Sequence, residues 1–274
     1  TKEDGTVEVL AESEVYSVPY YGEIQNGSFE DPIITNEKGY QQVGMRDVRG
    51  WSTTDTQGGE GGKGAECIEI VRPSADGTVD PYYGETYLIY ADEGLQYAEI
   101  NTEGNGALYQ DVLTKAGIPL EYSFSHRGRQ NSNYNGNDQL YVVIVPTKLA
   151  ENGLRGDGNP IDTNKEVEEL MSQDAAFKEA NNVYIQDYTA RVGEWQRHKD
   201  SYIPQTGMTR FFFVAAQEGV RTQGNYVDNI SFGQNLPEPT KDTFNLRVEK
   251  TIIGLGSAAK EETALKKVID NLQF

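Results

Sequence analysis

The groups in this sequence with chemistry to offer are two histidines, a close pair of arginines and a surplus of carboxylates. His126 and His198 are the only histidines, and each adjoins arginine, in Ser125-His126-Arg127-Gly128-Arg129 and Gln196-Arg197-His198. No Gly-x-Ser-x-Gly elbow or cysteine nucleophile accompanies them, which argues against acyl transfer. The single cysteine, Cys67, sits in the strand-like run Glu66-Cys67-Ile68-Glu69-Ile70. It reads as a small core hydrophobe, and one thiol builds neither an intrachain disulfide nor a thiolate zinc cluster. Gly58-Gly59-Glu60-Gly61-Gly62 is glycine-rich but acidic, so it would repel a phosphate rather than cradle one. Acidic residues are so frequent that spacing singles out no carboxylate pair for glycoside hydrolysis. The balance favours a binding protein over an enzyme.

The arginines carry the sharper signal. Leu120-Glu121-Tyr122-Ser123-Phe124-Ser125-His126 alternates apolar and polar residues, as a half-buried strand does. That alternation puts His126 with Tyr122 and Phe124 on one face, and Arg127 with Ser123, Ser125 and Arg129 on the other. Two residues apart on a strand, Arg127 and Arg129 project the same way, about 7 Å from each other. They form a local positive spot in a chain of net charge −19, suited to an acidic sugar or a carboxylate. Glu99, Tyr109, Gln110, His126, Arg127 and Arg129 are therefore the candidate ligand-binding set, with a Tyr or Trp51 as the ring beneath a sugar. The competing account is an internal network in which Glu99, Asp111 or Asp138 neutralises the arginines and His126 is a buried imidazole bonded to Glu99. Trp51, followed by Ser-Thr-Thr with no aromatic neighbour, is expected in the core.

The elements that must position these groups are strands. From Glu23 onward, short alternating segments are divided by Gly, Asn and Asp clusters. Strands are predicted at Cys67–Arg72, Glu85–Ala91, Tyr97–Asn101, Ala107–Leu113, Leu120–Arg127, Gln139–Pro146, Arg210–Ala216 and Tyr226–Phe232. Eight such segments fit an all-β jelly-roll β-sandwich of two antiparallel sheets. Asn164–Ala180 breaks the pattern: Val167, Leu170, Met171 and Phe177 mark a helical insertion across one end of the sandwich. The loops 57–64 and 131–137 are expected to be mobile. Arg155-Gly156-Asp157 matches an integrin-recognition tripeptide, a match short enough to arise by chance, and Asp157, Asn159 and Asp162 equally suit a surface calcium.

Residues 1–22 read as an irregular leading segment, 23–234 as the jelly-roll module and 235–243 as a proline-stiffened linker. Within 244–274 a strand is followed by a helix over Lys260–Leu272. That is too little to bury a core alone, so it reads as the start of a truncated domain.

Composition narrows the partners. Forty-three Asp and Glu face 24 Lys and Arg, a field that repels nucleic acid and anionic membrane. No run approaches the roughly 18 apolar residues that a membrane-spanning helix needs. Seventeen Tyr against 9 Phe suits sheet surfaces that are half buried and half wet.

These residues carry a resemblance. Asn26-Gly27-Ser28-Phe29-Glu30, the later Trp51 and Val227-Asp228-Asn229-Ile230-Ser231-Phe232 resemble the frame of galactose-binding-like jelly-roll modules, a group that includes carbohydrate-binding modules. Gln96–Asn101, Leu108–Val112, Ser125–Arg129, Trp195–His198 and Gly224–Asn229 are together similar to surface proteins anchored to the cell wall of Gram-positive bacteria. The resemblance spans roughly 24–233. It implies a secreted, adhesin-like module of a longer multidomain protein, cell-wall-anchored through regions outside this fragment, with a glycan or a host surface protein as partner. It also implies a structural calcium joining the first and last strands through Glu30 and Asp228. The alternative for that pair is that Glu30 caps a turn and Asp228 accepts loop N–H groups. The tail is similar to the opening of a collagen-adhesin B-type stalk domain, where Lys250 holds the place of the isopeptide-forming lysine.

Overall fold

The computed structural model describes residues 23–35, 39–56, 58–59, 64–73, 90–100, 102–104, 106–129, 138–152, 169–191, 193–216 and 224–234. The strands in chain order are β1 Tyr40–Gly44, β2 Ser52–Thr53, β3 Cys67–Val71, β4 Tyr97–Glu99, β5 Ala107–Leu113 and β6 Leu120–Arg127. They continue with β7 Asp138–Pro146, β8 Tyr184–Ala190, β9 Gln196–Tyr202, β10 Met208–Ala215 and β11 Tyr226–Gln234. One sheet runs β1-β3-β4-β11-β6-β9 and the other β2-β5-β10-β7-β8, every neighbour antiparallel. The chain folds as the expected jelly-roll type of β-sandwich.

Alternation fills the space between the sheets. Ile68, Ile70, Tyr122, Phe124, Val227 and Phe232 point in from one side, and Leu108, Val112, Val142, Ile144, Phe211 and Phe213 from the other. Trp51 belongs to this core at 2% exposure, stacked on Phe29 with ring centres 5.1 Å apart. Its indole N–H donates to the Asn26 carbonyl at 2.9 Å. The first loop locks onto the last strand: Ile230 N–H donates to the Gly27 carbonyl at 2.9 Å, where β11 bulges between Asp228 and Ser231. A Cβ on Gly27 would lie 1.9 Å from the Ile230 carbonyl oxygen, so only glycine fits there.

The outward face of the five-stranded sheet is also apolar. Phe212, alternating with its two neighbours, turns away from the main core and joins Ala107, Val143, Val145 and Val214. Ala150 and Leu170 complete this second cluster, carried by helix α1 Thr147–Asn152 and a helical turn at 169–172. Phe177 of helix α2 Ala175–Ala180 packs against it.

The structure departs from the sequence reading in several places. Among the described residues the Asn164–Ala180 helix begins at 169 and is interrupted. Asp174 caps a new helix, its Oδ1 accepting the Phe177 N–H at 2.8 Å. Helix α1 and strands β1, β2, β8 and β9 were not anticipated. The last, Gln-Arg-His-Lys-Asp-Ser-Tyr, is an edge strand whose residues are mostly exposed, so hydropathy does not announce it. Tyr90 and Ala91 are not strand, and 85–89 lie outside the described residues. So do 131–137, most of 57–64, Arg155-Gly156-Asp157 with Asn159 and Asp162, and everything from 235 onward, including Lys250.

Candidate functional site

The outward face of the six-stranded sheet holds charge. Gln42 pairs in register with Glu69, Glu69 with Glu99, Glu99 with Tyr226 and Tyr226 with Arg127. One line of outward side chains therefore crosses five strands. At its centre, Arg129 Nη1 donates to both oxygens of Glu99 at 2.8 Å. The two side chains are 8% and 1% exposed. Glu99 also accepts the Gly224 N–H at 2.9 Å, and Asp138 accepts the Arg129 N–H at 2.6 Å. The Arg129 guanidinium lies over the Tyr226 ring, 5.9 Å from its centre.

Electrostatics follow from burial. Desolvation pushes Glu69 well above the carboxylate range, and the adjoining Glu99 reinforces this. Desolvation also raises Glu99, while Arg129 and the Gly224 N–H pull it back. The two carboxyls adjoin each other across the strands, and Arg129 serves Glu99 as counter-ion. Gln42 Nε2 donates to Glu103 at 2.8 Å and to Glu69 at 3.4 Å.

His126 takes the inward face, as alternation requires, but its partner is Asn225 rather than Glu99: Nε2 lies 2.8 Å from Asn225 Oδ1. Burial lowers its pKa to about 3. The ring is neutral, Nε2–H donates to Asn225, and Nδ1 has no partner. His198 lies 5.9 Å away between Phe124 and Tyr188, its pKa also lowered by burial.

Tyr109 and Gln110 are not brought to this face, because β5 belongs to the other sheet. Tyr109 lies 4.6 Å beneath the Arg210 guanidinium, which pairs with Asp111 at 2.9 and 2.8 Å. Gln110 is buried and clasps the Gln25 backbone, accepting at 2.7 Å and donating at 3.1 Å. The candidate set thus splits between two sheets.

Aromatic residues outside the candidate set stand beside the charged line. Trp195 meets the edge of Tyr97 at 5.4 Å, and Tyr97 meets Tyr226 at 5.0 Å. The Trp195 indole N–H donates to the Tyr90 carbonyl at 2.7 Å, and the Tyr90 side chain is 51% exposed. Tyr97 was legible, being two residues from Glu99 on one strand. Trp195, present only as part of the family resemblance, precedes a strand without an apolar pattern, so nothing in the sequence placed it beside Tyr97.

Glu30 and Asp228 clamp one turn. Glu30 Oε1 accepts the Leu95 and Gln96 N–H groups at 2.6 and 2.8 Å. Asp228 Oδ2 accepts those of Asp92 and Glu93 at 2.7 and 2.9 Å, and Oδ1 that of Asn229 at 2.6 Å. Burial pushes Asp228 up to about 7 against these three donors. Gly94 has φ +68°, and a Cβ there would lie 2.4 Å from Glu30 Oε1. N–H groups aimed at both carboxylates fit the turn-capping alternative for this pair. Among the described residues no group of three or more His, Cys, Asp or Glu is placed to hold a metal.

No protein-family model matches the chain, and no curated protein does. Solved structures with a similar fold include the carbohydrate-binding module TmCBM61 in complex with β-1,4-galactotriose, at 10% identity and TM-score 0.40, over 78% of this chain and 99% of that one. The Stig cyclase Fisc from Fischerella sp. TAU gives 15% identity and TM-score 0.45, over 78% and 97%. The CBM22-1 xylan-binding domain of Paenibacillus barcinonensis Xyn10C gives 10% and 0.37, over 80% and 97%. At these identities and TM-scores, none of their functional residues carries over to this chain.

Proposed function

We propose that this chain is a non-catalytic glycan-binding module working from the outward face of the six-stranded sheet. The observation that carries this reading is the ring series Trp195–Tyr97–Tyr226 beside Glu99, Arg127 and Arg129 on one sheet face. Sugar recognition needs an aromatic ring against the pyranose C–H face and planar polar groups for the hydroxyls. Trp195, half-buried, and the exposed Tyr90 are the rings placed for stacking. The extracellular, adhesin-like setting belongs to the same proposal, supported by the sequence resemblance and the net charge of −19. Antibody labelling of intact cells tests that setting.

A glycan array probed with the full chain tests the binding. Binding is expected, with Trp195→Ala losing at least about tenfold in affinity, as removal of a contact of about 1.4 kcal/mol would, while the melting temperature stays near that of the parent. A parent chain that binds nothing on the array ends the proposal. A second reading, a structural head or spacer, is favoured by the internal bonding of Glu99, Arg129 and Asp138. It expects Trp195→Ala to lower stability and no glycan to bind.

A further inference from the structure

We infer that the glycan bound by this face carries a carboxylate and that Arg127 receives it. The inference rests on the glycan-binding proposal and names the chemical class of its ligand.

Of the arginines on or near the sheets, Arg129, Arg197 and Arg210 are committed. Arg129 is paired with Glu99 and Arg210 with Asp111. Arg197 donates to the Ser125 hydroxyl at 3.3 Å, the Ser123 hydroxyl at 2.7 Å and the Asn229 carbonyl. Arg127, with only 6% of its surface exposed, makes no hydrogen bond and no ion pair among the described residues, and its Nε is sealed from water without an acceptor. A mostly buried guanidinium left unpaired is costly to the fold.

Register explains why no neighbour relieves it. Tyr226 stands between Arg127 and Glu99 in the line across the sheet. Glu99 is already engaged by Arg129 and the Gly224 N–H. On its own strand, Ser125 donates to Asp92 at 2.6 Å, and Ser123 shares a hydrogen bond with Ser231 at 2.8 Å. Tyr97 and Tyr226 act on the guanidinium through space without bonding to it. The residues around Arg127 thus hold it in place and leave its donors to an outside acceptor.

A carboxylate matches these donors in shape and charge. Its two oxygens meet two guanidinium N–H groups in a planar fork, a fit a hydroxyl cannot reproduce. One carboxylate per sugar also suits a chain of net charge −19, which would repel a densely charged polyanion. With the pyranose against Trp195, one residue before the Gln196 that pairs with His126, the acid group of the same ring or its neighbour reaches Arg127.

The test is calorimetric titration of the full chain with an oligogalacturonate, a sialyl oligosaccharide, the methyl ester of each and a neutral galactan oligosaccharide. At least one acid should bind at least about tenfold tighter than its own ester, the scale of one charge-assisted hydrogen bond. Which acid does so distinguishes a uronate from a sialate. Arg127→Gln and Arg127→Lys should both lose that preference. If Arg127→Gln does not fold, the acid-against-ester comparison on the parent chain decides alone. Equal affinity for acid and ester, or an undiminished preference in Arg127→Lys, overturns the inference and leaves glycan binding intact. Failure of every glycan to bind, neutral ones included, overturns the glycan-binding proposal as well.

Discussion

Both sheets turn buried faces outward, but with opposite chemistry. On the five-stranded sheet the outward face is hydrocarbon, Phe212, Val143, Val145 and Val214, capped by Ala150 and Leu170. On the six-stranded sheet it is Glu69, Glu99, Arg127 and Arg129 among tyrosine rings. Apolar burial is non-directional and tolerates repacking, so the first face serves stability. Buried charges must each find a partner with good geometry, so the second face has a narrow solution set and, among the described residues, leaves Arg127 outstanding.

The largest effects should break this contrast directly. Phe212→Ala and Glu99→Gln should each cost about 3–5 kcal/mol in urea unfolding, one through a cavity and the other through an orphaned guanidinium. They should differ in rescue. Glu99→Leu combined with Arg129→Met should return to within about 1 kcal/mol of the parent, since an apolar pair replaces an ion pair at little net cost. A double variant as unstable as the sum of its singles would show that the charged line supports the fold beyond its pairing.

A smaller effect compares the two sides of the six-stranded sheet through pH. His126 on the inward side is held neutral, its pKa lowered to about 3, so below its ordinary value only the unfolded chain takes up the proton. Its contribution is full above about pH 6.5 and is lost as pH falls towards 3, by at most about 1.4 kcal/mol per pH unit. Asp228 has the opposite sign. Raised to about 7, it binds its proton more readily when folded, so its contribution is present at low pH and lost as pH rises from about 4 to 7. The two slopes oppose each other. Asp228→Asn should therefore lose stability on acidification from pH 6.5 to 4 more steeply than the parent, in thermal melts across that range. An unchanged slope would remove Asp228 from this balance.

The smallest expected effect concerns the clamp at Glu30 and Asp228. With five N–H donations to these carboxylates, excess chelator should leave the melting temperature unchanged, and elemental analysis should find no stoichiometric calcium. A lowered transition would restore calcium to this turn, because a ligand bound only by the folded chain stabilises it by mass action.

The candidate site was legible in proportion to how local its determinants are. Period-two alternation placed His126 inward and Arg127 outward, and fixed β5 and β6 to the residue. The grouping of Tyr109 and Gln110 with Glu99 failed because neighbours in sequence pattern entered different sheets, and strand order is a property of the whole chain. Trp195 was missed for a related reason: its place beside Tyr97 depends on β9 pairing with β6, and β9 has almost no apolar face to announce it.

By itself, then, the sequence determined an all-β chain, the inward and outward faces of its central strands, the burial of Trp51 and the acidic field around the molecule. Each follows from the side-chain period of a strand, from residue type or from a sum over charges, and none needs to know which strand lies beside which. Only the tertiary structure decided that Arg129 takes Glu99 and that Arg127 takes no partner among the described residues. Arginines two residues apart carry identical local signals. What separates them is that Tyr226, arriving from the far end of the chain, stands between Arg127 and the carboxylate that would have neutralised it.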